Sequence, residues 1–340
     1  MNGFARLSHL VHARFIWLLI GSYIVAALFP GLGLWVRSVS WGTINLPMVM
    51  LGLLLLNAGM GVELSALKKL RSDPLLLVFG LLANLVIPIV YIAMVMRTMR
   101  FWHNPDEVQN ILVGLALVAS MPIAGSSTAW SQNTNGNLAL SLGLVLGSTF
   151  LSPLTTPIAL HAIGHMTIGD YSEDLHELAG AATGWFLLIS VIVPSILGIV
   201  CRQLMGKERV TTGKPYLRLA NSAILLFLNY SNASVSLPQA ISNPDWDFLA
   251  VTLGITLLLC IVAFFAGWLI ALLRHSDQAD QIALMFGLGM NNNGTGLVLA
   301  SMALADHPRV LLPIIFYNLV QHLVAGTVGH LMFHRPAETS

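Results

Sequence analysis

Charge is scarce in this chain. Asp, Glu, Lys and Arg make up 9% of its 340 residues, where a soluble domain carries roughly 25%. So little charge argues against a soluble enzyme, a nucleic-acid binder and a disordered chain, each of which needs far more polar surface. The 16 basic and 15 acidic side chains leave a formal charge of +1, so no field of one sign draws a polyanion. Cysteine is nearly absent too. Cys201 and Cys260 both lie in apolar runs and supply neither a disulfide framework nor a metal-ligand spacing. What the chain has in excess is apolar surface, with 56% hydrophobic residues and a mean hydropathy of +0.78. It reads as an all-α polytopic membrane protein, with the lipid bilayer as its first partner.

A helix needs about 20 apolar residues to cross the hydrocarbon layer. Ten runs meet that length, at 14–36, 43–63, 75–96, 109–134, 137–162, 177–201, 218–240, 247–273, 280–304 and 309–332. The first is too long for a signal-peptide core and reads as an uncleaved span. Ten spans put both termini on one side. The termini and the even-numbered connections hold 12 of the 16 cations, and the other side only Arg37, Arg97, Arg100 and Arg309. The positive-inside rule then predicts cytoplasmic N- and C-termini in a cell membrane. The longest hydrophilic connection, Arg202 to Arg218, reads as the divide between two sets of five spans. An odd number per half inverts the second half relative to the first. The expectation is a single membrane domain over 1–340, built of one repeat at 14–162 and an inverted one at 177–332.

Two runs contain what a plain lipid-facing helix does not tolerate. The fourth reads LALVASMPIAGSSTAWSQNTNGN, with Pro122, Gly125, Ser126, Ser127 and Thr128 near its middle. Proline removes an amide donor and clashes with the preceding turn, and glycine adds backbone freedom. The ninth reads IALMFGLGMNNNGTGLVLAS, with Asn291, Asn292 and Asn293 in succession among four glycines. Neighbours on a helix differ by about 100°, so three consecutive amides cannot share one face. Each left unsatisfied costs on the order of 1–3 kcal/mol. A helix that unwinds there and lines a polar cavity accounts for them; a close helix–helix contact glued by amides is the alternative. Half-helices that meet at a break offer amide donors to a carboxylate and free carbonyls to a cation.

At these residues the chain resembles the bile acid:sodium symporter family. PIAGSSTAWSQNTNGNLALS is similar to the family's fourth-span pattern and GLGMNNNGTGL to its ninth. MLGLLLLNAGMGVELSALKKL looks like its second span, and LLANLVIPI like its third. The resemblance implies ten spans with discontinuous, crossing helices four and nine. Spans one, two, six and seven would form a panel beside a core of the rest. It also implies a secondary carrier for a small organic anion, working by alternating access, with sodium as coupling ion and no other cofactor. Carried over position by position, a first sodium site falls on Ser127, Thr128, Ser141, Val145 and Gly287. A second falls on Asn84, Asn291 and backbone carbonyls near Gly287 and Met290. Substrate contacts map onto Gly125, Asn292, the adjoining Asn293, and the pair Gln321–His322. Val145 and Gly287 stand where the family has Thr and Glu, so no carboxylate remains inside either broken span. A carrier that is uncoupled or proton-coupled, and a channel, therefore stay open.

His322, mid-span in FYNLVQHLVAG, is either an uncharged histidine bonded between helices or a donor to substrate or protons. An intramembrane hydrolase pairing Ser126 or Ser127 with His322 is a weaker rival, since GSST is no nucleophile elbow and no acidic residue is available to orient the histidine. The H-x-x-H pair His9 and His12 reads as part of a cytoplasmic tail, and Glu63 as a solvated residue at the end of span two. Nothing in the sequence suggests a nucleic-acid partner. Substrate identity and oligomeric state are not legible.

Overall fold

The computed structural model describes residues 7, 10–11, 14–42, 44–62, 74–304 and 306–333. His9, His12, Glu63 and the cations Arg6, Lys68, Lys69, Arg71 and Arg335 lie outside them. Apart from a two-stranded ribbon pairing Ser40–Trp41 with Ile44–Asn45, the described elements are helical. In chain order the α-helices are α1 (Phe15–Leu28), α2 (Gly31–Ser38), α3 (Leu46–Gly61), α4 (Pro74–Thr98), α5 (Pro105–Ser120), α6 (Ser126–Asn133), α7 (Leu138–Gly164) and α8 (Asp170–Leu178). They continue with α9 (Ala181–Leu187), α10 (Val193–Met205), α11 (Lys207–Ser242), α12 (Trp246–Leu273), α13 (Gln278–Gly289), α14 (Asn293–Ala303) and α15 (Leu311–Phe333). A single π turn, Leu188–Ile192, joins α9 to α10.

Six of the fifteen described helix starts follow from local side-chain capping. Asn45, Asn104, Asn137, Asp245, Asp277 and Asn292 each accept a backbone N–H of the helix they precede, filling an acceptor role the first turn otherwise leaves open. Prolines shape helices elsewhere. In α7, Pro153 cannot bond the Thr149 carbonyl, and the Ser152 hydroxyl donates to it instead at 2.8 Å. The first run is not one rod as expected: α1 and α2 meet at 90°. Pro30 disfavours helix at Phe29, and the freed Phe29 carbonyl accepts the Tyr230 hydroxyl at 2.6 Å.

Among the described residues, five helices are long and apolar enough to cross a membrane, and six if α1 and α2 count as one span. They expose lipid-facing stripes, such as Leu82, Val86, Val90 and Met94 on α4 and Leu154 and Ile158 on α7. This is a polytopic membrane protein. The segment read as a divide, Arg202 to Arg218, is no loop. It is helical except at Gly206, whose φ of 81° turns the chain. It also follows the sixth apolar run, so the midpoint of ten runs lies instead around α8. The helices pack as two groups: α1 to α3 with α10 and α11, and α4 to α7 with α12, α13 and α15.

Candidate functional site

Both suspect runs are broken. The fourth is α5 and α6, separated by residues 121–125; the ninth is α13 and α14, separated by 290–292. The chain between the halves is extended at Met121 (φ −80°, ψ 147°) and Met290 (φ −129°, ψ 110°). The two extended pieces lie antiparallel, Ile123 beside Asn291. Ala124 N donates to the Met290 carbonyl at 2.8 Å and Asn292 N to the Pro122 carbonyl at 2.9 Å. Each break thus supplies partners for the other, which answers the requirement that backbone at membrane depth be satisfied within the protein.

Neighbouring helices satisfy the remainder. Asn291 N donates to Gln321 Oε1 at 3.0 Å, and Asn291 Nδ2 to the Val118 carbonyl at 2.9 Å. Ile123 N donates to the Ser148 hydroxyl at 3.0 Å, and the Thr156 hydroxyl to the Ser120 carbonyl at 2.6 Å. The Tyr317 hydroxyl reaches the Gly289 carbonyl at 3.3 Å. From Gln321 the polar path continues through Asn318 to Tyr23 on α1 and Asn229 on α11, Asn318 Nδ2 lying 2.8 Å and 2.9 Å from them. It links the crossing to the other helix group.

Side-chain polarity is left over at the crossing. Among the described residues, six of the ten buried side-chain atoms without a hydrogen-bond partner sit here: Ser127 Oγ, Ser131 Oγ, Asn291 Oδ1, both amide atoms of Asn293, and Thr295 Oγ1. Each costs about 1–3 kcal/mol if nothing binds it, and a polar ligand at the crossing could satisfy them. The positive ends of α6 and α14 and the negative ends of α5 and α13 meet at the same spot. Both a carboxylate and a cation find the right sign of dipole there.

The residues expected in the first sodium site converge in part. Thr128 and Ser141 hydroxyls lie 3.1 Å apart, and Ser127 is fully buried. Gly287 faces Leu144, whose Cδ1 lies 2.9 Å from where a Cβ would stand; leucine occupies the space a longer residue 287 would need. Of the second set, Asn291 Oδ1 is buried and unbonded, while the Met290 carbonyl already holds Ala124 N. Asn84 lines a separate cavity of about 20 Å³, room for roughly one water, beside Ser120, Pro122 and Ser148; Asn291 is not in its wall. Of the substrate set, Gly125 is exposed and Asn292 half-buried, Asn293 is buried, and Gln321 is spent on Asn291. His322 meets Phe15 edge-on, centroids 6.0 Å apart.

Sequence reasoning missed Asn318, Tyr23, Tyr317, the acceptor Ser148 and the donor Thr156. Asn318 and Gln321, one turn apart in an apolar helix, were the available signal. The others contribute single hydroxyls whose partners, backbone atoms or for Tyr23 two asparagine side chains, are distant in the chain, which no local pattern marks.

The comparison with known proteins is one of sequence. A sequence model of the Sodium Bile acid symporter family matches residues 48–242. The chain is 26% identical over 222 residues to "Uncharacterized protein YbaS" of Bacillus subtilis (strain 168), covering 65% of this chain and 68% of that one. It is 24% identical over 307 residues to "Uncharacterized sodium-dependent transporter YocS" of the same organism, covering 88% and 85%. It is 22% identical over 316 residues to "Probable sodium/metabolite cotransporter BASS2, chloroplastic" of Oryza sativa subsp. japonica, covering 92% and 68%.

Proposed function

This chain belongs to the Sodium Bile acid symporter family, and from that premise we propose that it is a sodium-coupled secondary carrier for a small organic anion. The observation that supports this reading most is the hydrogen-bonded meeting of two broken helices with six unpartnered buried polar atoms around it. The unpaired oxygens of Ser127 and Asn291 and the Thr128–Ser141 hydroxyl pair would hold sodium. No carboxylate lies at either break, since the acidic residues of α5 and α13 (Asp106, Glu107 and Asp280) sit in their first turns, so neutral oxygens and helix dipoles would hold the ion, and the anion's own charge would balance it. Gly125 and Asn292, at the open N-terminal ends of α6 and α14, would receive the carboxylate.

The proposed architecture is ten spans in two inverted sets of five with cytoplasmic termini in the cell membrane. Alternating access would then move the helix group bearing both breaks against α1 to α3, α10 and α11. A transporter rather than a hydrolase also fits the placement of the polar side chains. His322 packs on Phe15, and the Ser127 hydroxyl has no hydrogen-bond partner, so the pairing that activates a serine nucleophile is unmade.

The test is a thermal melt of purified protein in sodium against potassium at equal ionic strength, followed by uptake into proteoliposomes. Sodium alone is expected to raise the melting temperature, because a ligand that binds only the folded state stabilises it. Candidate organic anions should add to that shift only in sodium, and uptake should saturate and show counterflow. Identical melts in both salts, with uptake indifferent to a sodium gradient, would remove sodium coupling; non-saturating flux would mean a channel.

A further inference from the structure

Away from the crossing, three histidines gather where α7 ends and the chain doubles back into α8. His161 and His165 lie one turn apart, and His176 comes from the last turn of α8. The three ring centroids are 4.7, 4.8 and 4.9 Å from one another. One nitrogen of each falls within 4.8 Å of the other two. The reversal that brings them together is specific: the Ser172 and Thr167 hydroxyls both donate to the Gly164 carbonyl, at 2.8 and 2.9 Å. Gly169 takes φ of 60°. Gly164 has no side chain to hold His176 off, since a Cβ there would strike the His176 ring.

From this geometry we propose that His161, His165 and His176 form a binding site for a divalent transition-metal ion of the zinc type, pinning the end of α7 to α8. His161 Nε2 and His165 Nε2 are 3.3 Å apart. Two ligands at about 2.0–2.1 Å in a tetrahedron are separated by roughly that distance. From a spread of at most 4.8 Å, His176 has to close by up to about 1.5 Å to complete the set, given the same bond length. Its Nδ1 is buried without a partner, while His161 and His165 are exposed and open to an arriving ion. Three imidazoles with no carboxylate among them select a borderline metal over Mg²⁺ or Ca²⁺. The nine-residue α8 also carries Asp170, Glu173, Asp174 and Glu177, a local negative field that concentrates cations. Three protein ligands leave a fourth position for water, as in an exchangeable site rather than a closed structural one. The clamp would lie at the outward end of the fifth span in the proposed topology, but the site itself needs neither that topology nor transport.

The test uses tag-free, chelator-stripped full-length protein in detergent, titrated with Zn²⁺ by calorimetry and with Co²⁺ by visible absorption. Wild type is expected to take up about one Zn²⁺ saturably, gain thermal stability, and give the intense bands of four-coordinate Co²⁺, with Mg²⁺ inert. His161→Ala/His165→Ala, two exposed positions, should lose both signals, while His103→Ala should keep them. Gly164→Ala leaves all three imidazoles but displaces His176, and should weaken Zn²⁺ at least about tenfold. Should the double variant misfold, His165→Asn alone carries the same expectation. Equal Zn²⁺ uptake by wild type and the histidine variants, or a weak octahedral Co²⁺ spectrum from wild type, would overturn the site.

Discussion

At the first break the chain leaves the helix around Pro122, which has no amide to donate, and its polar side chains are hydroxyls that follow the turn. At the second break there is no proline, and three consecutive amides hold the backbone open. The amides divide the task. Asn291 bonds outward to α5, Asn292 accepts from Thr295 N at 3.4 Å to start α14, and Asn293 is buried with neither amide atom bonded. The backbone bonds between the breaks are reciprocal, but the first break is forced by covalent chemistry, whereas the second is held by side chains. The second should therefore be the more sensitive to substitution, and the first the more revealing of bound ions.

The largest expected effect tests that asymmetry directly. Asn291→Leu strips the donor from the buried Val118 carbonyl, and should destabilise the protein by about 1–3 kcal/mol and abolish uptake. Ser127→Ala, across the crossing, removes an oxygen with no protein partner. Without sodium its melt should match wild type or rise; in sodium it should fall behind. Equal losses for the two variants in sodium-free buffer would show that the breaks do not differ in this way.

A smaller effect is expected from Thr128→Val, which keeps the shape and deletes the hydroxyl 3.1 Å from Ser141. The lost hydrogen bond is worth about 0.5–1.5 kcal/mol. If these two oxygens share an ion, the sodium-induced shift of the melting temperature should shrink with it. An undiminished shift would take residues 128 and 141 out of the sodium set.

How much of this was legible in the sequence depends on how local each cause is. Both breaks could be read, because Pro122 and three consecutive asparagines violate helical rules within a few residues. The 90° bend at Pro30 was hidden, since hydropathy counts Phe29, Pro30 and Gly31 inside one apolar run and does not register direction. The chain reversal around Gly206 was misread as a loop because Lys and Arg there suggested solvent, yet those residues are good helix formers. The Asn318–Tyr23–Asn229 junction joins three distant helices through single polar atoms, and the histidine cluster appears only once residues 165–170 turn the chain back. The His161–His165 spacing was visible at the outset, but its third member was not. Neither was the contact of His322 with Phe15: adjacent residues point about 100° apart on a helix, so Gln321, which takes the Asn291 amide, and His322 meet different neighbours.

The smallest expected effect on stability belongs to Gly125 at the first break, and it sharpens the comparison most. Gly289 ends α13 where a Cβ would run into the Phe264 ring, whereas at Gly125 a Cβ would meet only Ala58 of α3, at 3.9 Å. Gly125 also has ordinary helical angles, φ −60° and ψ −23°, so nothing in the backbone requires glycine. Gly125→Ala should leave the melt within about 0.5 kcal/mol of wild type, as for an exposed position without special geometry. The space it fills is nonetheless the exposed approach to the N-terminus of α6, where the carboxylate is proposed to bind. An unchanged melt with a raised half-saturation concentration for uptake would place the substrate against that helix end. Wild-type uptake kinetics from the same variant would move the substrate to the Asn292 side of the crossing.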